Sequence, residues 1–189
     1  MALNSNPGDP AADSYISLAD ANTYFLNRGE PTWSGTDAQK ENALRRGTTY
    51  LDNQYRTRWI GIRSYQDQAL GWPRIDGARG PMLFNPGFLI DLYDIDGFQI
   101  LYSEVPWQVQ NATAEAALLY MQGVPLEPRL VRGNMIKSQT NKVDVISQET
   151  VWMDGAPGQD RFIVIEGLLR GLVKSTPGAP SGNNQVLRM

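Results

Sequence analysis

Three aspartates in one short stretch are the first residues that could do chemistry. Asp91, Asp94 and Asp96 fall close together in the sequence, and carboxylate oxygens are the ligands that Ca²⁺ and Mg²⁺ prefer. A calcium-binding EF-hand loop would need acidic residues where Leu92 and Ser103 stand, so the motif is not matched. We interpret residues 94–97 as a turn between short strands and assign no metal ligand.

A second group imitates a phosphate-binding loop. Gly167, Gly171, Lys174 and Ser175 have the right residue types, but in that motif the lysine directly follows the second glycine. The four-residue spacing instead places both glycines on one helix face, where small residues permit close contact with another helix.

Two residue types absent from the chain exclude several catalytic mechanisms and metal sites. The chain has no Cys and no His, which excludes thiolate nucleophiles, Cys-ligated metals and a Ser-His-Asp triad. The possibilities left are carboxylate pairs, Lys or Tyr chemistry, and metal sites made of oxygen ligands alone, and we predict no enzymatic activity and no metal site. A metal-dependent enzyme using the aspartates at 91–96 remains a third-ranked alternative.

Arginines and aromatic side chains interleave between residues 45 and 74, a composition typical of a groove that stacks single-stranded nucleic acid. The alternative is that the aromatics fill a core beside helix ends and Pro73, and we favour that interpretation. The aromatics concerned are Tyr50, Tyr55, Trp59, Tyr65 and Trp72.

Charge is segregated along the chain although the formal net charge is only -3. Residues 40–79 carry eight basic and four acidic side chains, and residues 80–128 carry six acidic side chains and no base. In a closed ring, the basic flank of one subunit could meet the acidic flank of the next. The alternative is a solvated surface with local ion pairs.

Helix signals recur along the chain. Ser17 with Asp20 predicts the start of a first helix that stops at Gly29. Thr36 with Gln39 predicts the start of a second, in which Gly47 suggests a close helix crossing. A third helix begins at Pro106 and ends at Gly123, and a fourth covers 160–174. The predicted core is Leu18, Phe25, Leu44, Leu51, Trp72, Val109, Ala116 and Leu119.

The remaining segments set the domain organisation. Residues 1–14 read as an N-terminal arm or a disordered start, 15–174 as the domain, and 175–189 as a flexible tail. Within the domain, 76–102 is an extended loop with short strands, and 130–153 is a β-hairpin with its turn at Thr140-Asn141. The expected fold class is mainly α: a small helical bundle with an inserted long loop and a β-hairpin before the C-terminal helix. No 18-residue apolar run occurs, so we expect no membrane-spanning helix.

Several motifs occur in an order that resembles one known family. Trp72-Pro73-Arg74 and Val105-Pro106 are the specific parts. The series is Asp13-Ser14-Tyr15, Ser17-Leu18-Ala19-Asp20-Ala21, Tyr24-Phe25, Trp33, Ala43-Leu44-Arg45-Arg46, Tyr50-Leu51-Asp52, Trp59-Ile60-Gly61, Gln68-Ala69-Leu70-Gly71-Trp72-Pro73-Arg74, Val105-Pro106, Ala112 and Ala114-Glu115-Ala116-Ala117-Leu118. It is similar to the head–tail connector (adaptor, or head-completion) proteins of tailed bacteriophages, often labelled DnaT-like single-stranded-DNA-binding proteins.

The resemblance implies a structural protein of the virion neck, assembled in the host cytoplasm, with no catalytic residue and no cofactor. Such proteins form rings, commonly of twelve subunits, that dock on the portal and present a surface to the tail or to a stopper or tail-terminator protein. Genomic double-stranded DNA passes through the lumen without sequence-specific binding, and no membrane is involved. A single-stranded-DNA-binding accessory protein is the alternative.

Two sets of residues are expected to make these contacts. The C-terminal helix carries more apolar side chains than one buried stripe needs, so we expect it to bind the portal through Phe162, Ile163, Ile165, Leu168, Leu169, Leu172 and Val173. The alternative is a core helix followed by a frayed end. For contacts between subunits or with the tail we expect Arg45, Arg46, Arg56, Arg58, Phe84, Phe88, Leu89, Asp91, Asp94 and Asp96.

Overall fold

Helices dominate the part of the chain that the structure describes. The computed structural model describes residues 2–76, 92–126, 138–143, 146–151 and 162–174, with only the backbone of 138–143 and 146–151. The helices within these ranges are α1 (Leu18–Arg28), α2 (Asp37–Tyr55), α3 (Trp107–Met121) and α4 (Ile163–Leu168). The mainly helical fold that the sequence predicted is confirmed.

The strands form three two-stranded antiparallel sheets in the same ranges. They are β1 (Ile62–Arg63) with β2 (Arg74–Ile75), β3 (Leu92–Tyr93) with β4 (Gln99–Ile100), and β5 (Ser138–Val143) with β6 (Ile146–Val151). No helix in the described ranges is both long and apolar enough to cross a membrane.

The starts of α1 and α2 follow the capping residues seen in the sequence. The Ser17 hydroxyl accepts a hydrogen bond from the Asp20 N–H at 3.1 Å. Thr36 and Gln39 form a reciprocal capping box, in which the Thr36 N–H donates to the Gln39 side chain at 2.9 Å. Gly29 ends α1 in the left-handed conformation at φ 63°, which glycine adopts without steric cost. These predictions are confirmed.

Helices α2 and α3 cross closely at Gly47. A β-carbon at this position would lie 2.7 Å from the Thr113 carbonyl oxygen and 3.0 Å from the Ala117 nitrogen. Both atoms belong to the α3 backbone and cannot swing away. The close crossing that the glycine suggested is confirmed.

The core consists of two clusters. One surrounds Trp59 and Trp72 and includes Leu51, Val109, Ala116 and residues of the C-terminal segment. The other surrounds Phe25 and Leu44 and joins α1 to α2 and α3. Six of the predicted core residues are buried, and Leu18 and Leu119 are partly buried against the same clusters.

The N-terminal segment lies on the domain, which differs from the arm or disordered start that its composition suggested. The Asn4 N–H donates to the Asp13 carboxylate at 2.8 Å, and the Asp13 N–H donates to the Asn4 carbonyl at 2.9 Å. Asp13 also pairs with Arg45 at 2.7 Å. Polar residues that read as a solvated arm are used here as local hydrogen-bonding partners.

The hairpin before the C-terminal helix is confirmed, but its predicted turn is wrong. Thr140 pairs with Glu149 and Asn141 with Gln148, so both lie inside β5, whose last pair is Val143 with Ile146. A β-branched threonine fits a strand as well as a turn, and residue types alone did not separate the two.

The C-terminal helix is shorter than predicted. It ends at Leu168, and the chain then turns through Gly171 at φ 89°. After the turn, the Leu172 carbonyl accepts from the Ile60 N–H at 3.0 Å. The second glycine therefore bends the chain back against residues 58–60 and does not belong to a helical stripe.

Candidate functional site

Arg74 of the Trp-Pro-Arg step points into the molecule. Its guanidinium donates to the carbonyl oxygens of Ile60 and Gly61, both at 2.6 Å, and to that of Gly71 at 2.9 Å. Burial lowers the pKa of Arg74 from its usual value. The Trp72–Pro73 peptide that precedes it is cis. Arg74 thus joins the β1 and β2 segments by satisfying backbone acceptors that no strand partner reaches.

Gln68 supports the same turn from within. Its amide nitrogen donates to the carbonyls of Leu70 at 2.8 Å and Pro73 at 3.1 Å, and its amide oxygen accepts from the Tyr65 N–H at 2.9 Å. The loop from Gln68 to Arg74 is therefore held by its own internal hydrogen bonds, and its characteristic side chains stabilise its conformation.

Asp52 and Tyr15 form a buried pair behind this loop. The Tyr15 hydroxyl donates to one Asp52 oxygen, and the Gly71 N–H donates to the other at 3.0 Å. Burial raises the pKa of the Asp52 carboxyl, against the opposing effect of these hydrogen bonds. Burial, with the Asp52 charge, also holds the pKa of Tyr15 well above its usual value.

Sequence reasoning missed this pair as a unit. Both residues belong to the motifs that carry the family resemblance, but they are 37 positions apart, and no periodicity links them. The only signal in the sequence that could have indicated the pair was the carboxylate of Asp52, which follows the predicted core residue Leu51 in the second helix.

The aromatic side chains of the basic segment lie in the core. Tyr50, Tyr55, Trp59 and Trp72 are buried, and the two tryptophan rings meet edge to face at 5.9 Å. Of the five aromatics, only Tyr65 is exposed. The core interpretation is confirmed, and these four rings are not available for stacking on bases.

A basic cleft lies on the outer side of the Gln68–Arg74 loop. Its volume is about 270 Å³. The lining residues are Asp52, Arg56, Ile62, Arg63, Ala69, Leu70, Gly71 and Arg74. We call it the arginine cleft, because Arg56 at the end of α2, Arg63 of β1 and Arg74 of β2 all line it.

Exposed apolar side chains concentrate in the stretch from Tyr93 to Trp107. They are Tyr93, Ile95, Phe98, Leu101, Tyr102 and Trp107, and Asp96 and Glu104 are exposed among them. Asp94 accepts from the N–H groups of Asp96 at 3.0 Å and Phe98 at 2.8 Å, which confirms the predicted turn. We call this stretch the 93–107 surface.

Most of the residues predicted to bind the portal belong to the core. Ile165, Leu169 and Leu172 are buried, and Phe162, Leu168 and Val173 are partly buried against the same cluster. Only Ile163 is open to solvent, with 82% of its surface exposed. Most of the C-terminal segment thus belongs to the core. Portal binding stays a prediction, for which Ile163 and the neighbouring Val164 are the exposed apolar side chains of α4.

The residues predicted for contacts between subunits are scattered. Arg45 pairs with Asp13 and Glu41 within its own chain. Arg58 lies 5.5 Å from the Tyr55 ring, and Arg46 and Arg56 line two separate pockets. Asp94 caps its own turn, and Asp96 is exposed. Phe84, Phe88, Leu89 and Asp91 lie outside the described residues, as do most of the 76–102 loop and the tail 175–189.

Comparisons with known proteins bear on the whole chain. A family model described as "Putative DnaT-like ssDNA binding protein" matches residues 1–83 and 91–189. Neither the curated proteins nor the solved structures gave a match. Because the model matches nearly the whole sequence, the chain belongs to the family of DnaT-like ssDNA binding proteins described by that name.

Proposed function

We propose that this protein is a non-catalytic assembly subunit, namely the head–tail connector of a tailed bacteriophage. It would form a ring in the virion neck, dock on the portal, continue the DNA channel and present a surface to the tail or stopper protein. The observation that carries the proposal is the 93–107 surface.

Half of the large exposed hydrophobic side chains among the described residues lie in that surface: six of the twelve. Concentrated exposed apolar area usually marks a protein interface, and aromatic residues are enriched in such interfaces. The neighbouring charges at Asp96 and Glu104 would repel a phosphate backbone. A protein partner therefore fits this surface better than nucleic acid does.

Single-stranded-DNA binding is the second candidate, and the family description supports it more directly than it supports a connector. The arginine cleft and the exposed Tyr65 are the features that favour it. Against it, the other four aromatics of the basic segment are buried, so they provide no row of rings for successive bases.

One experiment separates the two functions. Sedimentation velocity and electron microscopy would follow the full chain alone, with purified portal, and with oligothymidylate at several salt concentrations. A connector is expected to form rings or dock on portal and to bind the oligonucleotide weakly. Failure to do either, together with tight binding whose logarithm falls steeply with the logarithm of salt, would overturn the connector proposal in favour of strand binding.

A further inference from the structure

We propose that the arginine cleft is an anion site that takes a single phosphate-type group. Among the described residues, three guanidinium side chains and one carboxylate line it, so at neutral pH this part of its lining carries a net charge of about two positive units. This site is separate from the 93–107 surface, and it does not depend on whether the protein forms rings.

Asp52, the carboxylate among the described residues that line the cleft, already has donors for both of its oxygens. Tyr15 donates to one Asp52 oxygen and the Gly71 N–H to the other. These hydrogen bonds disperse its charge away from the cleft. Asp52 therefore opposes an anion less strongly than an exposed aspartate would.

The cations differ in how far their donors are committed. Arg74 gives three of its five N–H groups to backbone carbonyls. Arg63 donates to the Gln68 carbonyl at 2.9 Å and, more weakly, to that of Gln66 at 3.4 Å. Arg56 is exposed, and neither Arg56 nor Arg63 is ion-paired with any described residue. Arg74 thus supplies a fixed charge, while Arg56 and Arg63 have donors left for a ligand.

The guanidinium groups favour a phosphate-type ligand in a small cleft. The volume of about 270 Å³ lies near the lower end of the roughly 300–1,000 Å³ of pockets that hold whole small molecules. Guanidinium groups bind phosphate oxygens through paired N–H donors. The same chemistry would hold inorganic phosphate or one phosphodiester of a nucleic acid strand.

The test compares the cleft with a matched cation elsewhere on α2. Isothermal titration with inorganic phosphate, and anisotropy of labelled oligothymidylate at matched ionic strength, would be measured on the full chain, on Arg56→Ala/Arg63→Ala and on Arg46→Ala. Arg46 is exposed and lies outside the cleft. We expect the double variant to weaken binding about tenfold or more, as expected for loss of a charge-assisted hydrogen bond, and Arg46→Ala to change it little.

The two arms identify the source of the phosphate. Binding of both probes, with free phosphate displacing the oligonucleotide, assigns the cleft to nucleic acid, and binding of phosphate alone assigns it to the free ion. Failure of the unmodified chain to bind either probe would overturn the proposal. Equal losses of affinity in the double variant and in Arg46→Ala would also overturn it. So would binding of polyglutamate, added as a competitor, in preference to phosphate. If circular dichroism shows that the double variant is unfolded, Arg56→Gln alone provides the same comparison.

Discussion

The Trp-Pro-Arg step makes Arg74 conspicuous in the sequence, but the sequence does not show what its side chain does. In the sequence, Arg74 was one of the eight basic side chains of residues 40–79, a flank that could meet the acidic flank of the next subunit in a ring. The structure buries it against three backbone carbonyls. Its planar, five-donor head satisfies acceptors on two segments at once, which a lysine cannot do.

Replacing Arg74 by lysine should therefore destabilise the fold. We expect a loss of about 2–4 kcal/mol in the free energy of unfolding, because at least two buried carbonyls lose their donors. Urea denaturation followed by tryptophan fluorescence measures the loss. The control is Arg46→Lys on the exposed side of α2, which should stay within about 0.5 kcal/mol. Equal midpoints for the two variants would contradict the role given to Arg74.

The Tyr15 hydroxyl should make stability fall at high pH. Its pKa is raised in the folded state, with burial the main cause, so above pH 10 the unfolded chain releases a proton that the folded chain keeps. The contribution is complete below that pH and is lost as pH rises, with a slope of about 1.4 kcal/mol per pH unit for one proton.

Tyr15→Phe removes this slope, and unfolding measured between pH 9 and 11 should show a shallower decline than in the unmodified chain. Asp52→Asn is the matched variant, because the phenol stays buried and most of the slope should remain. Tyr24 contributes in the same direction, since burial also raises its pKa, so Tyr15→Phe reduces the decline and does not abolish it. An unchanged slope in Tyr15→Phe would contradict the assignment.

At the scale of elements, the sequence was most informative where one local signal determines one local structure. Ser17, Gly29 and the Thr36–Gln39 capping box act within a single turn of chain, and the predicted helix ends matched them. The hairpin turn and the course of the chain after α4 depended on distant partners. Thr140 lies in a strand because of what pairs with it, and after α4 the chain turns back so that Leu172 pairs with Ile60. The pairing of Leu172 with Ile60 comes four residues after α4 ends at Leu168, and neither this partner nor that of Thr140 is visible in a local pattern.

Gly47 allows a test of the closest helix crossing. Gly47→Ala should destabilise by about 1–3 kcal/mol, because the new β-carbon would lie 2.7 Å from the Thr113 carbonyl oxygen and overpacking outweighs the better helix propensity of alanine. Thermal and urea unfolding measure the change.

Gly167→Ala in α4 is the control for that prediction. Apart from its chain neighbours and the backbone of its own helix, no atom of the described residues lies within 4 Å of a β-carbon built at Gly167. This substitution should therefore be neutral or stabilise by up to about 1 kcal/mol. If both alanines had the same sign and size of effect, helix propensity alone would explain them, and the close crossing would play no part.

At the scale of the molecule, the buried clusters could be predicted and the surface could not. Leu44, Leu51, Val109 and Ala116 follow helical periodicity, and their burial confirmed it. The apolar side chains of the C-terminal segment looked like a surface for another chain, yet most of them complete the core around Trp59 and Trp72. The side chains of 93–107 sit in a hairpin and a helix start, where periodicity gives no inward or outward direction.

The 93–107 surface should matter for assembly and not for folding. Phe98 and Trp107 are 72% and 60% exposed, so Phe98→Ser/Trp107→Ser removes little buried area and should change unfolding by less than about 1 kcal/mol. If the surface is an interface, the same variant loses two aromatic anchors, the residue class that dominates binding energy. Sedimentation velocity over a range of concentrations, with and without portal, should then show that the variant needs at least about tenfold more protein to assemble.

Leu26→Ser is the matched control, because Leu26 is 80% exposed but lies on α1, and it should assemble as the unmodified chain does. Normal assembly of the double variant would remove this surface from the interface, whereas an equal defect in Leu26→Ser would mean that assembly responds to general surface hydrophobicity.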